Sequence, residues 1–260
     1  MTKQSDDEGI EMIARVKTGI KGLDEFIGGG FPVGSCVLVS GKIGTGKSIF
    51  AMQYIANGIT DYGDLGVLVS LERDKKDLYR DASKFGLHLQ RLEKEGTLQI
   101  FGGPISAVSM EMRKTKATIE DLISEMVEAV ETSESKRMAL ERADLLPLLS
   151  PEEQDISVQL SDLKERLGEL GCTSVLTSEI REGSEELSRA GAEDILDGVI
   201  VLYYEGEGLT RDRALEIRKM RGTEHTSQLQ FFDITGDGIA IKKMPEMSRV
   251  SRAKRGPSPT

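Results

Sequence analysis

The sequence predicts an α/β fold: a mainly parallel sheet flanked by helices and continued by an antiparallel C-terminal β extension. Three observations predict it. Strand-like and helix-like runs alternate through the first two-thirds of the chain. From Gly198 onward, strand-like runs follow one another without helices between them. Between the first strong strand and the first strong helix stands Gly41-Lys42-Ile43-Gly44-Thr45-Gly46-Lys47-Ser48, which has the form G-x-x-x-x-G-K-[ST].

The elements follow in order. Cys36-Val37-Leu38-Val39 is a short apolar run suited to a buried strand, and Ile49, Phe50, Met52, Tyr54 and Ile55 lie in a helix-compatible stretch after the turn. Strand, glycine-rich turn and helix form the setting that a phosphate loop requires. The glycines let the backbone curl until several N–H groups face one anion, and the helix N-terminus adds its dipole. Lys47 would bridge the β- and γ-phosphates of a nucleotide, and the Ser48 hydroxyl would take a place on Mg²⁺. A chance match to this pattern arises in about one or two of every hundred chains of this length; the flanking strand and helix favour a nucleotide site.

Val67 to Leu71 reads as the next strand, and Asp74 to Phe85 as a helix closed by Gly86. Leu98 to Phe101 is a short strand, followed by a helix from about Ala117 to Glu131. Ser150-Pro151-Glu152-Glu153 reads as a helix start, with Ser as cap, Pro in the first turn and carboxylates at the positive end of the dipole. Ile156, Leu160, Leu163, Leu167 and Leu170 give that helix one apolar face, better suited to lie on a sheet than to form a partner-helix seam. Gly171 ends it, and Cys172 to Ser178 is a strand. Val199 to Tyr203, Ala214 to Met220, Gln228 to Phe232 and Ile239 to Ile241 make up the β extension. A ligand would sit at the carboxyl ends of the parallel strands.

Composition narrows the function. The 260 residues suffice for one large α/β domain, with 38% hydrophobic and 30% charged residues. No apolar stretch approaches a membrane span, and the N-terminus carries no signal-peptide pattern. Cys36 and Cys172 sit in apolar strand-like runs and read as free core thiols in a reducing, cytoplasmic setting. His88 and His225 have no cysteine or histidine near them in sequence, which argues against zinc. The net charge of −10, from 34 basic and 44 acidic residues, argues against nucleic-acid binding, as does the 5% aromatic content without Trp. The expected organisation is a flexible N-terminal segment over residues 1–15, one domain over 16–247, and a basic disordered tail over 248–260.

Two further segments carry a family resemblance. Val16-Lys17-Thr18-Gly19-Ile20-Lys21-Gly22-Leu23-Asp24, then Gly28-Gly29-Gly30-Phe31-Pro32-Val33-Gly34-Ser35, resembles the opening of the KaiC/RadA branch of the RecA-type P-loop ATPases, and the phosphate loop follows at that family's spacing. Lys219-Met220-Arg221-Gly222-Thr223-Glu224-His225 resembles the KaiC-type K-[LM]-R-G-[ST]-x-H segment. The likeness runs from about Val16 to Ile241. KaiC has two such domains in tandem, and this chain has room for one. The resemblance implies a RecA-like core and a ring, usually hexameric, with ATP between neighbouring subunits. Gly41, Gly44, Thr45, Gly46, Lys47, Ser48 and Ile49 would bind nucleotide from one side. Lys219, Arg221, Thr223 and His225 would approach from the adjacent subunit, where an arginine stabilises charge on the transferring phosphoryl group. Taken alone, Lys219 and Arg221 would read as surface cations on an exposed strand.

The resemblance also makes Glu72 the carboxylate that polarises the attacking water; the plainer reading is a strand-end acid near a helix N-terminus. Two glutamates commonly stand together here in KaiC-type domains, whereas this chain has Arg73 after Glu72. The family's apolar strand ending in Asp-Ser falls on Lys136-Arg137-Met138-Ala139-Leu140-Glu141-Arg142, which places Glu141 as the Mg²⁺ partner beside Ser48. Glutamate is one methylene longer than aspartate, and Arg142, in place of the family's small neighbour, could compete for its carboxylate. Three outcomes are open: Glu141 acts through a water, Asp144 substitutes for it, or metal binding is impaired. Helix propensity is high in this segment, so the strand requires tertiary context. At the positions of KaiC's phosphorylated Ser and Thr stand Glu193 and Asp194, which cannot accept a phosphoryl group as a hydroxyl would; Ser184 and Ser188 are the remaining hydroxyl candidates. Ile43 occupies an unrestricted position of the loop.

The expected function is a KaiC-like, Mg-dependent ATPase with slow turnover, a homo-oligomer that reports nucleotide state to a protein partner. The alternatives are a non-hydrolysing ATP sensor, a recombinase-like DNA-binding paralogue and an autokinase.

Overall fold

The computed structural model describes residues 13–149, 156–181, 183, 186–188, 191–205 and 211–242. Arg15, the last residue of the expected flexible segment, already lies in a strand: β1 (Arg15–Val16) pairs antiparallel with β2 (Phe31–Pro32). The main elements then run β3 (Cys36–Gly41), α1 (Lys47–Tyr62), β4 (Gly66–Ser70), α2 (Lys75–Ser83), α3 (Leu89–Lys94), β5 (Leu98–Gly102), α4 (Ile105–Thr115) and α5 (Ile119–Thr132). They continue with β6 (Arg137–Glu141), a 3-10 turn over Ala143–Leu149, α6 (Ile156–Glu169), β7 (Thr173–Glu179), α7 (Ala192–Ile195), β8 (Gly198–Glu205), β9 (Asp212–Met220), β10 (Gln230–Thr235) and β11 (Gly238–Ile241).

The main sheet has the order β11-β10-β9-β8-β3-β7-β6-β4-β5. Its strands from β8 to β5 are parallel, and β9, β10 and β11 extend it antiparallel, as the sequence predicts. Every residue of β3, β4 and β6 is buried, which is why these strands read as continuous apolar runs instead of alternating ones. One core packs α1, α2 and α3 on one face, and a second packs α5 and α6 on the other. Burial of each large aliphatic side chain contributes about 1.5–3 kcal/mol before entropy losses.

Local signals explain the boundaries. Asp74 caps α2 by accepting from the Asp77 N–H at 2.9 Å, and Gly86 beyond it has φ +68°. Thr118 and Asp121 form a reciprocal capping box, so α5 begins at Ile119, two residues later than expected. On α6, Ile156, Leu160, Leu163 and Leu167 are buried against the sheet, as their spacing predicts. The helix start expected at Ser150 to Glu153 lies outside the described residues. The sequence pattern predicts neither α3 nor α4. The first has six residues, and the second buries none of its side chains, so neither displays a strong apolar period. Strand β6 forms despite its helix propensity, because β4 and β7 pair with it on both sides.

Candidate functional site

Strand β3 ends at Gly41 and α1 starts at Lys47, so the intervening turn lies at the carboxyl edge of the parallel strands. Its tightness depends on glycine. Gly44 has φ +80° and Gly46 φ +106°, and a Cβ on Gly41 would lie 2.6 Å from the Leu202 carbonyl oxygen. Thr45 is buried and donates its hydroxyl to the Lys42 carbonyl at 2.8 Å. The first N–H groups of α1, at Lys47, Ser48 and Ile49, have no partners within the helix. With the helix dipole they make the open end of the loop an anion site. Ile43 is exposed at the loop tip, whereas Ile49 is half-buried against the core.

The Lys47 ammonium donates to the Gly41 and Lys42 carbonyls at 2.7 and 2.8 Å. Its pKa is lowered, first by burial and then by Arg142, while Glu179, Asp144 and Glu72 oppose the shift. These same residues bring the ends of three strands to the loop. Glu72 follows β4, Arg142 and Asp144 follow β6, and Glu179 closes β7 in register with Gly41.

Their pairing differs from the expected one. The Arg142 guanidinium donates to Glu72 at 2.7 Å and to Asp144 at 3.0 Å, and it lies 3.2 Å from Glu179. Arg142 therefore does not compete for Glu141. Arg73 takes that carboxylate instead, with Nε at 3.3 Å from Oε2 and a shorter contact from Nη2 to Oε1. Ser70 donates to Glu141 Oε2 at 2.8 Å. The cause is register: Ser70 and Glu141 sit opposite each other on β4 and β6, and Arg73 lies three residues past Ser70. Sequence reading missed Glu179, although an acid at the carboxyl end of a parallel strand was a usable signal. It also missed Arg213, which donates to the Gly44 carbonyl at 3.4 Å and stacks 4.1 Å from the Tyr204 ring centre.

Ser48 and Glu141 were the expected Mg²⁺ partners. Oxygen donors of the right kind surround the loop, but the carboxylates are already paired: Glu141 with Arg73 and Ser70, Asp144 and Glu72 with Arg142. Among the described residues, no group of three His, Cys, Asp or Glu is placed to hold a metal ion. As arranged, an arginine competes with a divalent ion for each of these acids, and Ser48 is the expected donor not tied to an arginine.

The second expected set lies elsewhere. Lys219 and Arg221 are at the end of β9, which runs antiparallel to β8, so they fall near the amino end of β3 and away from the loop. Lys219 donates to the Glu193 and Asp194 carbonyls, both at 3.1 Å, and burial lowers its pKa. Arg221 pairs with Asp197 at 3.2 Å. The Thr223 hydroxyl accepts from Arg15 at 3.0 Å, and His225 Nδ1 lies 3.1 Å from the Thr226 carbonyl. One chain does not bring these four residues to its own loop. Of the hydroxyl candidates, Ser188 is buried, donating to Glu193 at 2.5 Å and accepting from the Ala192 N–H; Ser184 lies outside the described residues. Both cysteines are free and buried.

Comparison with known proteins agrees with this architecture. Residues 16–246 match the family described as "ATPase: KaiC". A UPF0273 protein of Methanocaldococcus jannaschii is 34% identical over 233 residues, covering 87% of this chain and 96% of that protein. The circadian clock oscillator protein KaiC of Synechococcus elongatus is 32% identical over 254 residues; the match covers 97% of this chain but only 49% of that protein, so the chain spans about half of it. The crystal structure of a KaiC-like protein of Pyrococcus horikoshii OT3 superposes with a TM-score of 0.78 at 35% identity, covering 89% of this chain and all of that one.

Proposed function

The chain belongs to the KaiC-type ATPase family, and from that premise we propose that it binds ATP in the 41–48 loop and hydrolyses it slowly as a regulatory homo-oligomer. The carrying observation is the loop itself: left-handed glycines at 44 and 46, a helix N-terminus and the Lys47 ammonium all belong to one turn. Lys47 exchanges its bonds to the Gly41 and Lys42 carbonyls for phosphate oxygens. Gly44, Thr45, Gly46, Ser48 and Ile49 supply N–H groups along the triphosphate. Glu72 then orients the attacking water, which requires its carboxylate to leave the Arg142 guanidinium. That exchange is a physical reason for slow turnover.

Because Lys219, Arg221, Thr223 and His225 lie at the opposite end of the strands, their action on nucleotide requires a second copy of the chain. This supports ATP at subunit interfaces, in a ring that is hexameric by family resemblance, with nucleotide state passed to a protein partner. The buried free thiols support a cytoplasmic site of action. Among the described residues no helix is long and apolar enough to cross a membrane.

A second reading, an ATP sensor without turnover, is favoured by the pairing of Glu72 and Glu141 with arginines. The acidic balance weighs against a DNA-binding role, and burial of Ser188 weighs against that hydroxyl as a self-phosphorylation site. Solution mass with and without ATP, measured alongside phosphate release, separates these readings. Assembly with turnover supports the ATPase, assembly without turnover supports the sensor, and a monomer that turns over normally contradicts the shared site.

A further inference from the structure

We propose that Arg142 is the resident cation of the nucleotide site: it takes the place among Glu72, Asp144 and Glu179 that a divalent ion would otherwise fill, so that triphosphate binding does not depend on a divalent ion. The inference rests on the nucleotide reading of the 41–48 loop. It begins from a mismatch. A phosphate-binding edge carries three carboxylates, and three like charges beside an arriving triphosphate would repel it. Elsewhere such charge is offset by a bound ion; here the cation within reach of all three acids is the Arg142 guanidinium.

The guanidinium is shaped for the task. Its five N–H donors form a rigid fork that can serve several carboxylates at once. Nη1 lies 2.7 Å from Glu72 and 3.2 Å from Glu179, while Nε and Nη2 each reach Asp144 at 3.0 Å. Asp144 is buried and also accepts from the Glu179 N–H at 3.2 Å, so the cluster is cross-linked through backbone as well. The Arg142 N–H is held by the Thr177 hydroxyl at 2.9 Å, in a left-handed conformation with φ +66° that non-glycine residues avoid. The side chain is only 15% exposed, so its charge is poorly screened and acts on the same space as Lys47. Arg73 pairs with the fourth acid, Glu141, so each of the four acids has an arginine partner.

The test is calorimetric titration of the full chain with ATP, in excess EDTA and in Mg²⁺. The native chain should bind with affinities within about threefold of each other in the two buffers, whereas Arg142→Ser should weaken at least about tenfold in EDTA and recover with Mg²⁺ as the exposed carboxylates accept the ion. Arg142→Lys keeps a charge without the fork and should weaken about threefold or more in EDTA and recover with Mg²⁺; it carries the comparison if Arg142→Ser does not fold, and native-like binding of Arg142→Lys in EDTA then overturns the inference. Native binding that falls tenfold or more in EDTA overturns the inference while leaving the nucleotide reading intact. Arg142→Ser binding that is equal to native in EDTA also overturns it. Absence of binding in both buffers overturns the nucleotide reading, and the inference with it.

Discussion

Replacing Gly58 with alanine sets helix propensity against a buried ion pair, and the structure gives the size of each. Gly58 lies inside α1, where alanine would ordinarily stabilise by about 1 kcal/mol. Here an added Cβ would fall 2.1 Å from Arg137 Nε and 2.3 Å from its Cδ. Arg137 is fully buried; its Nε donates to Asp64 at 2.7 Å, its Nη1 to the Lys17 carbonyl at 2.6 Å, and it lies 5.0 Å from the Tyr54 ring centre. Displacing it breaks these contacts while leaving the charge in the core, a change that costs about 3–5 kcal/mol. The net expectation for Gly58→Ala is a loss of about 2–4 kcal/mol, or a fall in Tm of roughly 5–12 °C for a domain of this size. Denaturant melts with a constant m-value measure it. The double variant with Arg137→Met should recover much of the loss, since the flexible thioether yields where the guanidinium is pinned. A Gly58→Ala protein as stable as native, or more stable, would refute the reasoning, because propensity would then outweigh the ion pair.

Three other outcomes follow from the same geometry. Glu72→Gln should lower multiple-turnover phosphate release by about 10²-fold or more while leaving ATP affinity nearly unchanged; unchanged release would remove Glu72 as the water-activating group. Lys47→Ala and Arg221→Ala should each be inactive, yet recover part of the turnover when mixed, because one chain then supplies the loop and its neighbour the arginine; mixing without recovery would contradict action across a subunit boundary. Burial pushes the Cys36 and Cys172 thiols from 9.0 up to about 12. The folded chain then keeps protons that the unfolded chain releases above pH 9, so the stability associated with them is full below that pH and is lost progressively between about 9 and 12. Denaturant midpoints at pH 8, 9 and 10 should fall less steeply in Cys36→Ala and Cys172→Ala, and an identical slope would contradict this assignment.

The legible parts of the molecule are those set by local spacing. Cys36–Gly41, Gly66–Ser70 and Thr173–Glu179 announce themselves because strands buried on both faces are apolar throughout. The loop at 41–48 is legible because its turn requires glycine at fixed positions. Helix α4 escapes notice because Ile105, Val108 and Met112 only partly cover the core and Gly102-Gly103-Pro104 resembles a plain break. The electrostatics of the site depend on register, which no local pattern encodes. Arg73 reaches Glu141 because β4 and β6 align Ser70 with Glu141, and Arg142 meets Glu179 because β7 lies between β3 and β6. Adjacency in sequence points Arg142 at the Glu141 carboxylate, whereas register gives that carboxylate to Arg73.

The account stands on capture of a triphosphate by the 41–48 backbone with Lys47, and titration calorimetry with ATP tests that capture most directly. The native chain should take up one nucleotide per site, and Lys47→Ala, with an unchanged melting profile, should lose that uptake. A native chain that gives no binding heat, or a Lys47→Ala chain that binds as tightly as native, would contradict it.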